Sequence, residues 1–309
     1  MNRERTFAYV AFAIVCIVWG TTYLAIRIAV ETIPPFLLTG FRYTVAGLIL
    51  LAVARLRGQT LPRERRTYVE LAIVGTLMVG VGNLAVVWSE QWVPSGMASL
   101  LVATAPFWSA VLEAFRREGE RLDLQRGLGM LVGFGGVVML IAPHASGSAL
   151  DGHFVAGAVV IQLGSIGWQY GTMRAKYRLG SISPLVSSSL QMLFGGTIVI
   201  LAGSIGGEWP ELHFTARSLA ALAYLTLFGS IVAFSAYVYA LSKMRTTSMS
   251  LYAYVNPAVA VLLGWLVLHE ELTGLSVIAM IVILAGVAIV QTARERKTPL
   301  PAAAVATEP

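Results

Sequence analysis

The stretch Trp19-Gly20-Thr21-Thr22-Tyr23, followed by Pro35, has its counterpart at Trp168 and Pro184. Sixteen residues separate Trp19 from Pro35 and Trp168 from Pro184, so the second pair lies 149 residues after the first. A second set of matches has an offset of 151: Ala105-Pro106 and then Glu120 in the first half, Asn256-Pro257 and then Glu271 in the second. Ser99-Leu100 pairs with Ser250-Leu251 under that offset, and Gly135 with Gly286. One such match is chance; a shared order at near-constant offset reads as a duplication.

The duplicated unit is a membrane one. Of 309 residues, 57% are hydrophobic and 12% charged, whereas soluble domains carry about a quarter charged residues. Apolar runs long enough to cross the hydrocarbon layer recur with short polar breaks. Ten are read, at 8–30, 36–54, 68–88, 95–113, 125–142, 154–172, 185–203, 217–241, 247–267 and 274–292. The expected fold is therefore an all-α membrane protein of ten transmembrane helices. It divides into a first five-helix repeat over 8–142, a second over 154–292, and a disordered cytoplasmic tail over 293–309. Arg3 and Arg5 before the first run resemble a secretion signal, but the run is long and no small-residue cleavage site precedes Glu31, so it reads as a retained helix.

The net charge of +6 orients the chain and does not point to nucleic acid. With the N-terminus inside, 19 of the 22 basic residues fall on one side of the membrane. The opposite side holds Arg217 and the acids Glu31, Glu90, Asp151, Glu208, Glu211, Glu270 and Glu271. That is the positive-inside pattern, with both termini cytoplasmic. Five spans per copy is odd, so the second copy enters the membrane inverted, the architecture of many secondary transporters.

Polar groups at membrane depth need partners or a pathway. Trp19, Tyr23 and Arg27 recur every four residues along one face of the first span. Arg27 is equally read as half of an interfacial pair with Glu31. Arg42 lies about 9 Å inside the second span and needs a carboxylate such as Glu90, a carbonyl or an anionic substrate. Its counterpart in the second copy is Gln191, polar but uncharged. Asn83 and Glu90 share a face of the third span, Asn83 equally serving as a helix-to-helix hydrogen bond. Tyr237 on the eighth span and Tyr252 and Asn256 on the ninth join Trp19, Tyr23 and Trp168 as an aromatic, hydroxyl-bearing lining. Pro106 and Pro257, at matched places, each free a backbone carbonyl and mark a hinge or a kink repaired by packing. Gly129 and Gly133, and Gly167 and Gly171, four apart, read as packing.

The missing chemistry narrows the class. His144, His153, His213 and His269 fall in loops or span ends, and Cys16 is the only cysteine. No metalloprotease or nucleotide-binding motif occurs. No cofactor or metal is expected, and Glu70, Glu90 and Glu113 are the proton carriers within reach. An intramembrane enzyme, a lipid-modifying protein and a channel stay open as alternatives, each lacking its usual cluster.

Trp19-Gly20-Thr21-Thr22-Tyr23 with Arg27, Gly40-Phe41-Arg42-Tyr43, Val93-Pro94-Ser95-Gly96-Met97-Ala98, and Tyr252-Ala253-Tyr254-Val255-Asn256-Pro257 followed by Glu271 resemble the EamA family of the drug/metabolite transporter superfamily. The likeness runs from about residue 8 to 292 and is nearest to the family's YedA-type inner-membrane members. It implies two inverted EamA repeats around a central cavity in the bacterial inner membrane. It implies transport, by export, of small metabolites such as amino acids, or of drugs. The family's characteristic places fall on Trp19, Gly20, Arg42, Pro106, Glu120, Trp168, Pro257 and Glu271, while Glu270 departs from the family's usual glycine. A homodimer stays open.

Overall fold

A computed structural model describes residues 3–116, 123–145, 152–244, 249 and 252–292. Glu120, Ser250, Leu251 and the tail over 293–309 lie outside them. Among the described residues all regular structure is helical. In chain order the helices are α1 (Arg3–Ala29), α2 (Pro35–Leu56), α3 (Arg65–Ser89), α4 (Ser95–Ala114), α5 (Leu124–Ala145), α6 (Gly152–Arg178), α7 (Pro184–Ile205), α8 (Ala216–Lys243), α9 (Tyr252–Leu268) and α10 (Gly274–Thr292).

Seven of these, α1 to α5, α7 and α8, are long and apolar enough to cross a membrane. Two others, Val255–Leu268 and Gly274–Val290, are apolar but shorter. The 27-residue α6 is about 40 Å long at the usual helical rise. Its hydropathy is diluted by Gln162, Ser165, Gln169 and Thr172, three of which are buried inside the protein.

Local sequence explains the ends. Proline opens α2 and α7 at the first helical position, where its missing N–H is not needed. Thr215 and Ser218 form a reciprocal capping box at the start of α8. Two loop carboxylates cap helices from a distance: Glu208 accepts from the Leu37 amide at 3.0 Å and Phe36 at 3.3 Å, and Glu270 from Ser95 at 2.8 Å and Gly96 at 3.1 Å. Both place negative charge at the positive end of a helix dipole.

Packing in the two halves is matched. Helix α2 lies along α7 and α5 along α10, so the second helices meet each other and so do the fifth. Helix α1 packs on α8 and α9, and α6 on α3 and α4. Lipid gives helices no hydrophobic reason to associate, so close backbone approach carries the contact. A methyl on Gly47 would meet the Leu193 amide nitrogen at 2.7 Å, and one on Gly136 would meet that of Ile283 at 2.8 Å. Gly129 likewise abuts α10, and Gly167 and Gly171 abut Val81 and Met78 of α3.

The third helix of each half is π-helical over corresponding stretches, Thr76–Asn83 in α3 and Leu225–Phe234 in α8. Such segments are rare and cluster at functional sites. The two prolines differ. Helix α4 breaks at Ala103 and Thr104 just before Pro106, whereas α9 runs through Pro257 without interruption. The break is repaired by α6: Gln162 donates to the Leu101 carbonyl at 3.0 Å and accepts from Thr104 Oγ1 at 2.8 Å and Trp108 Nε1 at 2.9 Å.

Candidate functional site

A cavity of about 70 Å³ lies between the two halves, walled by α1, α2, α3, α4, α6 and α9. Its lining includes Trp19, Thr22 and Tyr23 of α1, Arg42 of α2, Asn83 of α3, Ser165, Trp168 and Gln169 of α6, and Tyr252 and Asn256 of α9. A space of this size holds roughly two waters, far below the several hundred Å³ of a pocket that encloses a small molecule. The cavity as it stands is too small to enclose such a molecule.

Four aromatic rings build one cluster around Trp19. Its ring centroid lies 5.4 Å from Trp168, 5.0 Å from Tyr237 and 5.3 Å from Tyr252, with Trp168 and Tyr252 presented edge-on. Edge-to-face packing sets the negative ring face of one residue against the positive edge of the next and fixes the cluster's shape. Hydrogen bonds pin it from behind. Trp19 Nε1 donates to the Gly229 carbonyl at 3.2 Å, and the Tyr237 hydroxyl pairs with Thr172 Oγ1 at 2.9 Å.

Arg42 is 1% exposed. Its Nε donates to Ser230 Oγ at 2.7 Å, while Nη1 has no partner. Gly229 makes room for it, since a methyl there would lie 2.7 Å from Nη2. Around the same cavity Gln169 Nε2, Trp168 Nε1 and Asn83 Oδ1 also lack a partner at bonding distance, with the Tyr252 and Tyr237 phenols beside the first two. The Trp168 and Gln169 donors thus have the Tyr237 and Tyr252 phenols as neighbours, which leaves Arg42 Nη1 and Asn83 Oδ1 as the unpartnered polar atoms of residues that line the cavity. A buried guanidinium nitrogen without a partner is costly, and an anionic group is what would satisfy it.

The expected residues separate into two groups. Trp19, Tyr23, Arg42, Asn83, Trp168, Tyr252 and Asn256 line the cavity, and Tyr237 backs it. The Asn256 amide nitrogen is held by the Cys16 carbonyl at 2.9 Å and the Tyr252 carbonyl at 3.2 Å. Arg27, Glu90 and Gln191 stand away from the cavity wall. Arg27 donates to the Glu90 backbone carbonyl and is not paired with the Glu31 carboxylate, which instead sits 3.8 Å from Arg217. Glu90 is wholly buried with neither carboxylate oxygen hydrogen-bonded, and it makes no ion pair with Arg42. Gln191 turns back on its own helix, donating to Ser187 Oγ at 2.7 Å. Pro106 and Pro257 frame the cavity from their helices but do not line it. Gln169 and Ser165 line the wall although their residue types gave no motif, Thr22 of the Trp19–Tyr23 stretch joins them, and Ser230, on the face of the eighth span that carries Tyr237, holds Arg42. Gln169 is adjacent to Trp168, the only signal that pointed there. No group of three or more metal-ligating side chains occurs among the described residues.

Comparison with known proteins agrees with this architecture. The EamA-like transporter family profile matches twice, over residues 6–142 and 155–292. The chain is 36% identical over 275 residues to the uncharacterized inner membrane transporter YedA of Escherichia coli K12, covering 89% of this chain and 87% of that protein. It is 26% identical to protein PecM of Dickeya dadantii, covering 89% of each, and 26% identical to the uncharacterized transporter YdfC of Bacillus subtilis, covering 93% and 92%. A solved crystal structure superposes with a TM-score of 0.70 at 21% identity, covering 95% of this chain and 99% of the other.

Proposed function

Because the chain belongs to the EamA-like transporter family and is a transporter rather than an enzyme, we propose that it is a secondary transporter exporting small amphipathic or zwitterionic metabolites, amino acids among them, or drugs. All ten helices span the inner membrane as two inverted five-helix repeats, with both termini cytoplasmic. The two halves rock to expose the shared cavity alternately to either side.

The observation that carries this reading is Arg42, fully buried beside the cavity with its Nη1 unpaired. A carboxylate on the cargo meets that guanidinium in a charge-assisted pair. The rings of Trp19, Tyr23, Trp168 and Tyr252 cover its apolar part, and Asn83 accepts from an ammonium or hydroxyl. Pro106 and Pro257 act as hinges on the two sides of the cavity. The small volume requires the helices to part before cargo enters.

The test is a thermal-shift screen of the purified protein against carboxylate-bearing metabolites and their carboxamide analogues. At about 100 times its dissociation constant a ligand raises native-state stability by about 2.7 kcal/mol. A stabilising carboxylate that loses its effect as the amide, and in Arg42→Gln, supports the reading. Equal stabilisation of Arg42→Gln by the same compound refutes it.

A further inference from the structure

The 149-residue offset that relates Trp19 to Trp168 also relates Arg27 to Lys176, each eight residues beyond its tryptophan. The structure gives both cations the same task. Arg27 donates to the Glu90 carbonyl, the residue that ends α3. Lys176 Nζ donates to the Leu241 carbonyl at 2.5 Å and the Met244 carbonyl at 2.7 Å, where α8 ends. Helices α3 and α8 are the third of each half and share the π segment. Their last carbonyls have no partner within the helix and carry the negative end of its dipole, so a cation is the fitting cap.

Neither contact belongs to ordinary helix packing. Helix α1 runs along α8 and α9, and α6 along α3 and α4, but α1 shares no extended backbone packing with α3, nor α6 with α8, whose contact is through the Trp168 and Thr172 side chains on Tyr237. Arg27 therefore ties together two helices that wall the cavity, and Lys176 ties the α6 wall to α8, which backs the cavity through Tyr237. Arg27 does so one turn past Tyr23, and Lys176 two turns past Trp168.

We infer that Arg27 and Lys176 are a matched pair of gate latches, one closing the cavity between α1 and α3 and the other closing it between α6 and α8. This rests on the inverted reading of the halves, by which α1 and α6 run in opposite directions and the latches sit at opposite membrane faces. Both are engaged in the structure, consistent with its small cavity. Alternating access then means releasing one latch while the other holds.

The two gates differ in chemistry. Near Lys176, Arg174 of α6 pairs with Glu70 of α3, with nitrogen-to-oxygen distances of 2.6 and 2.7 Å. Ala25, 149 residues before Arg174, instead lies in an apolar cluster with Ile26, Ala29, Ala221 and Leu225. The Lys176 gate closes on charge, and the Arg27 gate on apolar surface.

Side-specific thiol labelling tests the latches without a known cargo. In a Cys16→Ala/Ser165→Cys background the only thiol lines the cavity. A membrane-impermeant charged methanethiosulfonate is applied to right-side-out and inside-out vesicles. Removing one charge-assisted hydrogen bond shifts an equilibrium by roughly tenfold or more. Arg27→Gln is expected to raise the labelling rate about tenfold from the periplasmic face and lower it from the cytoplasmic face. Lys176→Gln does the reverse, and Arg27→Lys and Lys176→Arg stay near the parent. Where glutamine prevents insertion, methionine at the same position removes the cation and is read the same way. Variants that open the same face, both faces, or neither overturn the latch pair. Variants that open opposite faces in the reverse sense support the latches and overturn the assigned orientation. A thiol that no protein in the series exposes to either face overturns the pathway reading itself.

Discussion

Replacing Gln162 by leucine removes three hydrogen bonds at the break in α4 while keeping most of the side-chain volume. The Thr104 hydroxyl at 2.8 Å, the Trp108 indole at 2.9 Å and the Leu101 carbonyl at 3.0 Å all lose their partner on α6. Interhelical hydrogen bonds in membrane proteins contribute about 0.6 kcal/mol each on average, with a ceiling near 1.7. Three of them give about 2 kcal/mol for Gln162→Leu. Trp108→Phe deletes one bond and retains the ring contact with Phe134 at 5.4 Å, so its cost is about 0.6 kcal/mol. Both changes delete the same Trp108 Nε1 to Gln162 Oε1 bond, so their effects couple, and the double mutant should lose about 0.6 kcal/mol less than the sum of the single changes. Unfolding free energies in bicelles, measured by steric trapping for the four proteins of the cycle, supply the numbers. A loss below about 0.5 kcal/mol for Gln162→Leu, or strict additivity in the cycle, refutes the claim that α6 holds the broken helix together.

Three further outcomes follow from other contacts. Gly136→Val places side-chain atoms where the Ile283 amide nitrogen already lies 2.8 Å from a first added carbon, so α5 and α10 are pushed apart, stability drops by about 1–3 kcal/mol of overpacking and apparent Tm falls with it. An unchanged melting curve contradicts that packing. Gly229→Ala pushes on the Arg42 guanidinium at 2.7 Å and should weaken binding of any carboxylate ligand at least tenfold by calorimetry, on the scale of one charged hydrogen bond; unchanged affinity removes Gly229 from the site. Burial pushes the Glu208 carboxyl above the ordinary carboxylate range, against the opposing hydrogen bonds from Leu37 and Phe36. A carboxyl raised on folding contributes stability below its unfolded pKa that is lost as pH rises through the folded value. Apparent Tm should therefore fall as pH rises through that window, and Glu208→Gln should flatten the fall; a rise over the same range reverses the sign and refutes it.

The sequence carried the apolar helices and the duplication because both are written in one dimension, as apolar length and residue spacing. It carried less about which side chains meet. Arg27 repeats every fourth residue after Trp19, but eight residues turn a helix about 80° past two full turns, enough to swing Arg27 off the cavity face and onto the end of α3. Glu90 keeps the face of Asn83 yet sits about 10 Å farther along the helix, beyond the cavity. Arg42 and Gln191 occupy matched places, but the longer arginine reaches Ser230 across the interface while glutamine is short enough to fold back onto Ser187. The π segments left no signature, since their residues are as apolar as an ordinary span. The caps by Gln162, Glu208 and Glu270 depend on partners 54 to 175 residues away and have no local pattern to betray them. Helix α6 shows the converse: its polar residues lower its hydropathy because each has a place inside the protein, Ser165 and Gln169 on the cavity wall, Gln162 on the break in α4 and Thr172 on Tyr237.

Transport of a carboxylate-bearing cargo through the cavity beside Arg42 is measured by counterflow of a ligand found by the stability screen, in proteoliposomes of wild type and Arg42→Gln at equal protein density. Saturable exchange in wild type that collapses in the variant, while both proteins melt at similar temperatures, is the predicted result. Equal exchange by the two proteins removes Arg42 from cargo binding.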